Sequence, residues 1–254
     1  MDYGNDRFIF LHKHDLDKRF SYEDIHNDRT INIFSDASMM GSGGEHKYGC
    51  FGSIVVYKDD IVDKFYRLAS NCTTNECELA GLRLSLSYAL SKAHLVDNIN
   101  IFSDSLYSVD SIRKYIYKYK FRRSSNINIP IGELYKSTDG NSISNQSLII
   151  ECIDLYIRCK SINPNIHIYH QSGHVCIDRY DDVVRAANIF ANLNHISLPL
   201  DLNIIRYISY YNNYIDKSTR AELNRYCNKG GVTYTYPVEF YPMHKYYKER
   251  KGNI

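Results

Sequence analysis

A chain of 254 residues, 44% of them hydrophobic, is long enough for one large domain or for a domain with an appendage. Its net charge of +2 excludes a polycation, and no apolar run approaches the roughly 18 residues of a bilayer-spanning helix, so no membrane association is expected. Seven cysteines, odd in number and without a CxxC pair, read as reduced thiols rather than as a disulfide framework or a zinc site.

Residues 1–28 are polar and mixed in charge, and are expected to form an N-terminal extension with one short helix. From Thr30 to Ser35 the pattern alternates as a strand does. A glycine-rich turn at Met40-Gly41-Ser42-Gly43-Gly44 leads to a second strand, Tyr48 to Tyr57. Lys58-Asp59-Asp60 turns the chain into a third, Ile61 to Ser70, which completes an antiparallel meander. Residues 75–93 place Leu79, Leu82, Leu86, Ala89 and Leu90 on one helical face. A strand at Asn98–Ser103 follows, then a helix over 105–119, loop composition over 124–146, and a helix from Gln146 to Lys160. The fifth strand is Asn165–His170 and the next helix spans 178–192. Beyond it the sequence predicts two further helices, 201–215 and 217–227, then Gly230-Gly231, a short run Val232–Tyr236 and a basic tail with Lys245, Lys248, Arg250 and Lys251.

The order β-β-β-α-β-α-α-β-α predicts an α/β fold. Its core is a mixed five-stranded sheet, three antiparallel strands plus parallel ones, flanked by helices. The expected division is an extension at 1–28, a domain at 29–193 and a C-terminal helical extension at 194–254. The polar, partly acidic start of the chain does not read as a secretory signal. Together with the thiols, this favours a cytoplasmic or other reducing, nucleic-acid-containing compartment. Heavy use of Ile, Asn, Lys and Tyr suggests an AT-rich genome, such as that of a virus or parasite.

Four acids stand in contexts that suit a metal-dependent nuclease. Asp36 and Asp104 end apolar strands, Glu78 lies early in a helix, and Asp181 opens the helix after the fifth strand. Magnesium takes hard oxygen ligands from small carboxylate clusters, and strand ends hold such side chains rigidly. Four converging acids would repel one another unless cations neutralised them, which points to two divalent ions. His174, in Ser172-Gly173-His174, suits a proton shuttle. Ordinary strand-end and helix-start carboxylates would leave a similar sequence trace. The basic run Arg113, Lys114, Lys118, Lys120, Arg122 and Arg123 reads either as a grip on nucleic acid or as a solvated helix face. The alternation Tyr115, Tyr117, Tyr119 suggests that part of the run is extended. Tyr207, Tyr210, Tyr211 and Tyr214 read as a packing stripe before a base-stacking platform.

The segments Ile33-Phe34-Ser35-Asp36-Ala37-Ser38, Thr73-Thr74-Asn75-Glu76-Cys77-Glu78 and Ile101-Phe102-Ser103-Asp104-Ser105 resemble type 1 ribonuclease H. So does Ser172-Gly173-His174 followed by Asp181-Asp182-Val183-Val184-Arg185, and the resemblance spans roughly residues 30–192. It implies that Asp36, Glu78, Asp104 and Asp181 hold two Mg2+ ions, with Mn2+ as a substitute, and that His174 assists turnover. It implies cleavage of the RNA strand of an RNA–DNA hybrid, by a monomer as the default. Ser38, Thr73, Thr74, Asn75 and the basic residues Arg113, Lys114, Lys118, Lys120, Arg122 and Arg123 would contact substrate. Three departures stand out: Glu76 brings negative charge where a neutral or basic residue is usual, the His174–Asp181 segment is short, and no tryptophan is present. Two other readings stay open, an exonuclease or resolvase on the same fold and a catalytically silent nucleic-acid-binding protein.

Overall fold

A computed structural model describes residues 20–41, 47–125, 141 and 143–227, with the side chains of 117–125 outside that set. Five strands form one sheet: β1 (Thr30–Met40), β2 (Tyr48–Tyr57), β3 (Asp60–Ser70), β4 (Asn98–Ser103) and β5 (Ile166–His170), in the order β3-β2-β1-β4-β5. β1 pairs antiparallel with β2 and parallel with β4, β2 pairs antiparallel with β3, and β4 pairs parallel with β5. This is the mixed five-stranded sheet the sequence predicts. The helices are α1 (Glu23–His26), α2 (Thr74–Lys92), α3 (Leu106–Ser125), α4 (Gln146–Ile162), α5 (Tyr180–Asn194) and α6 (Leu202–Cys227).

The central strands are buried on both faces, as parallel strands between helical layers must be. Ile31, Ile33, Ile99 and Ile101 point to one side, where Leu79, Leu82 and Leu86 of α2, Val109 and Ile112 of α3 and Ile149 and Ile153 of α4 cover them. Each such side chain contributes about 1.5–3 kcal/mol of burial. On the other side Phe34 and Phe102 meet Val183, Ala187 and Phe190 of α5 and Ile204, Ile208 and Ile215 of α6.

Three expectations change. The two helices predicted at 201–215 and 217–227 are one, α6, lying across β1 and β2. Asp216 and Lys217 carry no helix-breaking chemistry, so the apolar stripe runs through. The boundary at 193/194 therefore falls inside a shared core. The run expected to be partly extended is helical throughout α3. Of the residues assigned to an N-terminal extension, Phe20 and Ile25 enter the core, and Asn32 and Asn100 donate to the carbonyls of Ile25 (2.6 Å) and Asp24 (2.7 Å). The predicted segments at 1–19, 228–254 and most of 124–146 lie outside the described residues. Tyr211 is buried and Tyr207 half-buried against Phe34, so these two pack rather than stack on bases, while Tyr210 is half exposed. Among the described residues no helix is long and apolar enough to cross a membrane.

Candidate metal centre

The sheet decides which acids meet. β1 and β4 run parallel in a register that sets Phe34 opposite Phe102 and Ser35 opposite Ser103, so the next residues, Asp36 and Asp104, emerge side by side. Phe34 and Phe102 stack at 4.9 Å beneath them. Glu78 arrives from the first turns of α2, whose start is fixed by a capping box. Thr73 Oγ1 accepts from the Glu76 amide (3.2 Å) and Glu76 Oε2 accepts from the Thr73 amide (2.7 Å). Glu76, an oddity in charge terms, thus holds the helix end that carries Glu78.

Asp36, Glu78 and Asp104 each offer an oxygen, and these lie within 4.8 Å of one another. They line a cavity of about 430 Å³. Asp36 is buried, and its Oδ2 and the Glu78 Oε2 are sequestered with no hydrogen-bond partner. Burial, and next the neighbouring Asp104 carboxylate, push the Asp36 carboxyl up to about 8. Glu78 is raised well above its ordinary value by burial and then by Asp36 and Asp104. Asp104 is raised by burial, with the Asn212 hydrogen bond, His174 and His170 pulling the other way. Unpartnered, crowded, hard oxygen donors are what a divalent cation such as Mg2+ takes, so the residues present fit that group.

The remaining expected site residues are scattered. His174, with positive φ (54°) and a side chain 72% exposed, stands at the cavity mouth, its Nδ1 3.6 Å from Asp216. Ser38 lines the cavity and bonds to Thr219 (2.9 Å). Asp181 sits exposed in the first turn of α5 and does not line the cavity. The structure does not bring it to the other three. Thr74 and Asn75 are exposed at the start of α2, beside the capping Thr73. Arg113 is built into the fold. Its guanidinium donates to the carbonyls of Leu193 (2.8 Å) and Ile168 (2.8 Å) and to Asn194 Oδ1 (2.7 Å), tying α3 to β5 and α5. Lys114 is exposed, and the side chains of Lys118, Lys120, Arg122 and Arg123 lie outside the described residues.

Sequence reasoning missed the wall opposite the three acids, formed by Asp216, Arg220, Leu223 and Asn224 of α6. The available signal was the polar series Asn212, Asp216, Thr219, Arg220 at helical spacing, interrupting the apolar face of Ile204, Ile208 and Ile215.

No curated protein sequence matches the chain. Among solved structures, the PFV RNase H domain is similar at 15% identity and TM-score 0.46, over 66% of this chain and 96% of that one. LC9-RNase H1, described as a type 1 RNase H with the type 2 active-site motif, is 18% identical at TM-score 0.41, over 69% and 80%. RNase H1 from the halophilic archaeon Halobacterium salinarum is 15% identical at TM-score 0.36, over 64% and 95%. The RNase H family model matches residues 28–178, more than half of the chain and all three clustered carboxylates, and the chain belongs to the RNase H family.

Proposed function

We propose that the protein is a divalent-metal-dependent endoribonuclease that hydrolyses the RNA strand of RNA–DNA hybrids. The observation that carries this reading is the convergence of Asp36, Glu78 and Asp104 on one point, with buried oxygens left unpartnered. Asp36, Glu78 and Asp104 would hold two Mg2+ ions, or Mn2+. When bound, such ions supply an acidified water and charge neutralisation at the scissile phosphate. As the water oxygen bonds to phosphorus and the bond to the 3′-oxygen breaks, a protonated His174, open to solvent at the cavity mouth, would donate a proton to that leaving oxygen, giving a 3′-hydroxyl and a 5′-phosphate. The exposed Thr74 and Asn75 and the basic α3 contact the duplex through its backbone, and 2′-hydroxyls mark the RNA strand.

A labelled hybrid incubated with Mg2+ is the direct test. Wild type is expected to cut only the RNA strand, and Asp104→Asn to lower the rate by at least about 100-fold. Equal cleavage by both proteins refutes the assignment, and hybrid binding without cleavage by wild type favours a silent binding protein.

Gly173 offers a finer probe. A Cβ there would come 2.6 Å from Asp104 Oδ2, so Gly173→Ala must turn that carboxylate aside. Cleavage is expected to fall by roughly 10- to 100-fold, because misplacing a reacting group by an ångström has that scale of effect. The contact is with a side-chain end, so thermal unfolding should change by less than about 1 kcal/mol. An unchanged rate would show that Asp104 has room to spare.

A further inference from the structure

We propose that Asp216 of α6 is the fourth carboxylate of this cation site, in the role that the sequence suggested for Asp181. The inference rests on the metal-centre reading above and deepens it, and it gives the C-terminal helix a task. α6 begins beyond the span matched by the family model.

The helix is fastened to the site on both sides of Asp216. One turn before it, Asn212 Nδ2 donates to Asp104 Oδ2 (3.3 Å). One turn after it, the hydroxyls of Thr219 and Ser38 bond at 2.9 Å, and Ser38 lies two residues past Asp36 on β1. Positions 212, 216 and 219 share one helix face, so these two ties aim Asp216 into the cavity that Asp36, Glu78 and Asp104 line. Its side chain is 15% exposed. The sequestered, unpartnered Asp36 Oδ2 of a buried side chain in the same cavity is an independent sign that this cavity is built to take a ligand.

Both Asp216 oxygens face a basic group at the rim: Arg220 Nη2 at 2.9 Å from Oδ1 and His174 Nδ1 at 3.6 Å from Oδ2. The Arg220 side chain is 61% exposed, with solvent on its outer side. Arg220 therefore acts as a stand-in cation that yields when a divalent ion arrives. Asp181, exposed on another helix, has no comparable tie to the centre.

The test is Mn2+ binding by the full chain, read from the electron paramagnetic resonance signal of free Mn2+, without substrate. Asp216→Asn is expected to weaken Mn2+ binding by about ten-fold or more, whereas Asp181→Asn, as an exposed charge, should stay within about two-fold of wild type. Arg220→Gln separates a ligand from a mere ion-pair partner: freeing Asp216 should leave binding equal or tighter. The inference is overturned if Asp216→Asn binds as wild type does, if Asp181→Asn is weakened as much, or if Arg220→Gln loses affinity as Asp216→Asn does. Circular dichroism checks that each variant is folded, and Asp216→Ser replaces the Asn variant if that one is not. A wild type that binds Mn2+ but leaves hybrids intact would sink the nuclease reading while this inference stood.

Discussion

Asp36→Asn is expected to abolish hybrid cleavage and, in the same molecule, to stabilise the metal-free fold at neutral pH. Asp36 is buried with one oxygen unpartnered, and its neighbours are carboxyls. Asparagine keeps the shape, stays neutral without having to take up a proton, and offers an N–H to those neighbours. The gain is expected to be on the order of 1–3 kcal/mol. The rate should fall by at least about 100-fold.

The pH dependence follows from the same crowding. Without metal, burial and Asp104 lift the Asp36 carboxyl from 3.8 to about 8. Between those values the folded protein keeps a proton that the unfolded chain has released. This contribution to stability is fully present below about 4 and is lost as pH rises through about 8. One such proton corresponds to a slope of up to about 1.4 kcal/mol per pH unit. In chelator, calorimetry of wild type should show the unfolding midpoint falling from pH 5 to pH 8, with a flatter profile for Asp36→Asn. Mg2+ should restore most stability at the alkaline end, where the carboxylates are ionised and able to bind it. A midpoint that rises with pH in chelator, or an Asn variant less stable than wild type at pH 7, would contradict this account.

Phe102→Ala should carry the largest stability cost. The ring is fully buried and stacks on Phe34 (4.9 Å) and Tyr169 (5.4 Å), with Phe190 at 6.4 Å. Truncation leaves a cavity under the strand that delivers Asp104, at about 3–5 kcal/mol. For a chain of this size that lowers the unfolding midpoint by roughly 6–20 °C. Phe102→Leu, which refills part of the space, should cost less than about 1.5 kcal/mol, and Val62→Ala, at an exposed position, should stay within about 0.5 kcal/mol. Since Phe34 and Phe102 each lie two residues before a clustered carboxylate, the Ala variant should also bind Mn2+ more weakly at temperatures where it is still folded. A loss below about 1 kcal/mol would mean that the aromatic layer does not hold these strands together.

The site shows where local pattern stops being informative. Asp36, Glu78 and Asp104 were legible because each is tied to a regular element whose period the sequence displays: two apolar strand runs that lead into Asp, although β1 itself continues past Asp36 to Met40, and a helix with Glu78 near its start. Asp181 had an equally good local context, yet it lies on an exposed turn away from the three. Nothing near it in sequence reports how α5 is set against the sheet. Arg113 carries the same lesson, since a cation in a basic run is consumed by carbonyls of Ile168 and Leu193 that only the fold brings within reach.

The succession of strands and helices along the chain, and the placing of three acids on two apolar strand runs and near a helix start, are properties of hydrophobic period and local chemistry, which act within a few residues. The union of 201–227 into one helix, its placement across β1 and β2, and the entry of Asp216 and Arg220 into the cavity depend on contacts between residues far apart in the chain, such as Asn212 with Asp104 and Thr219 with Ser38. Those contacts form only when two layers close on the sheet, so the tertiary structure alone decides which charges share the centre.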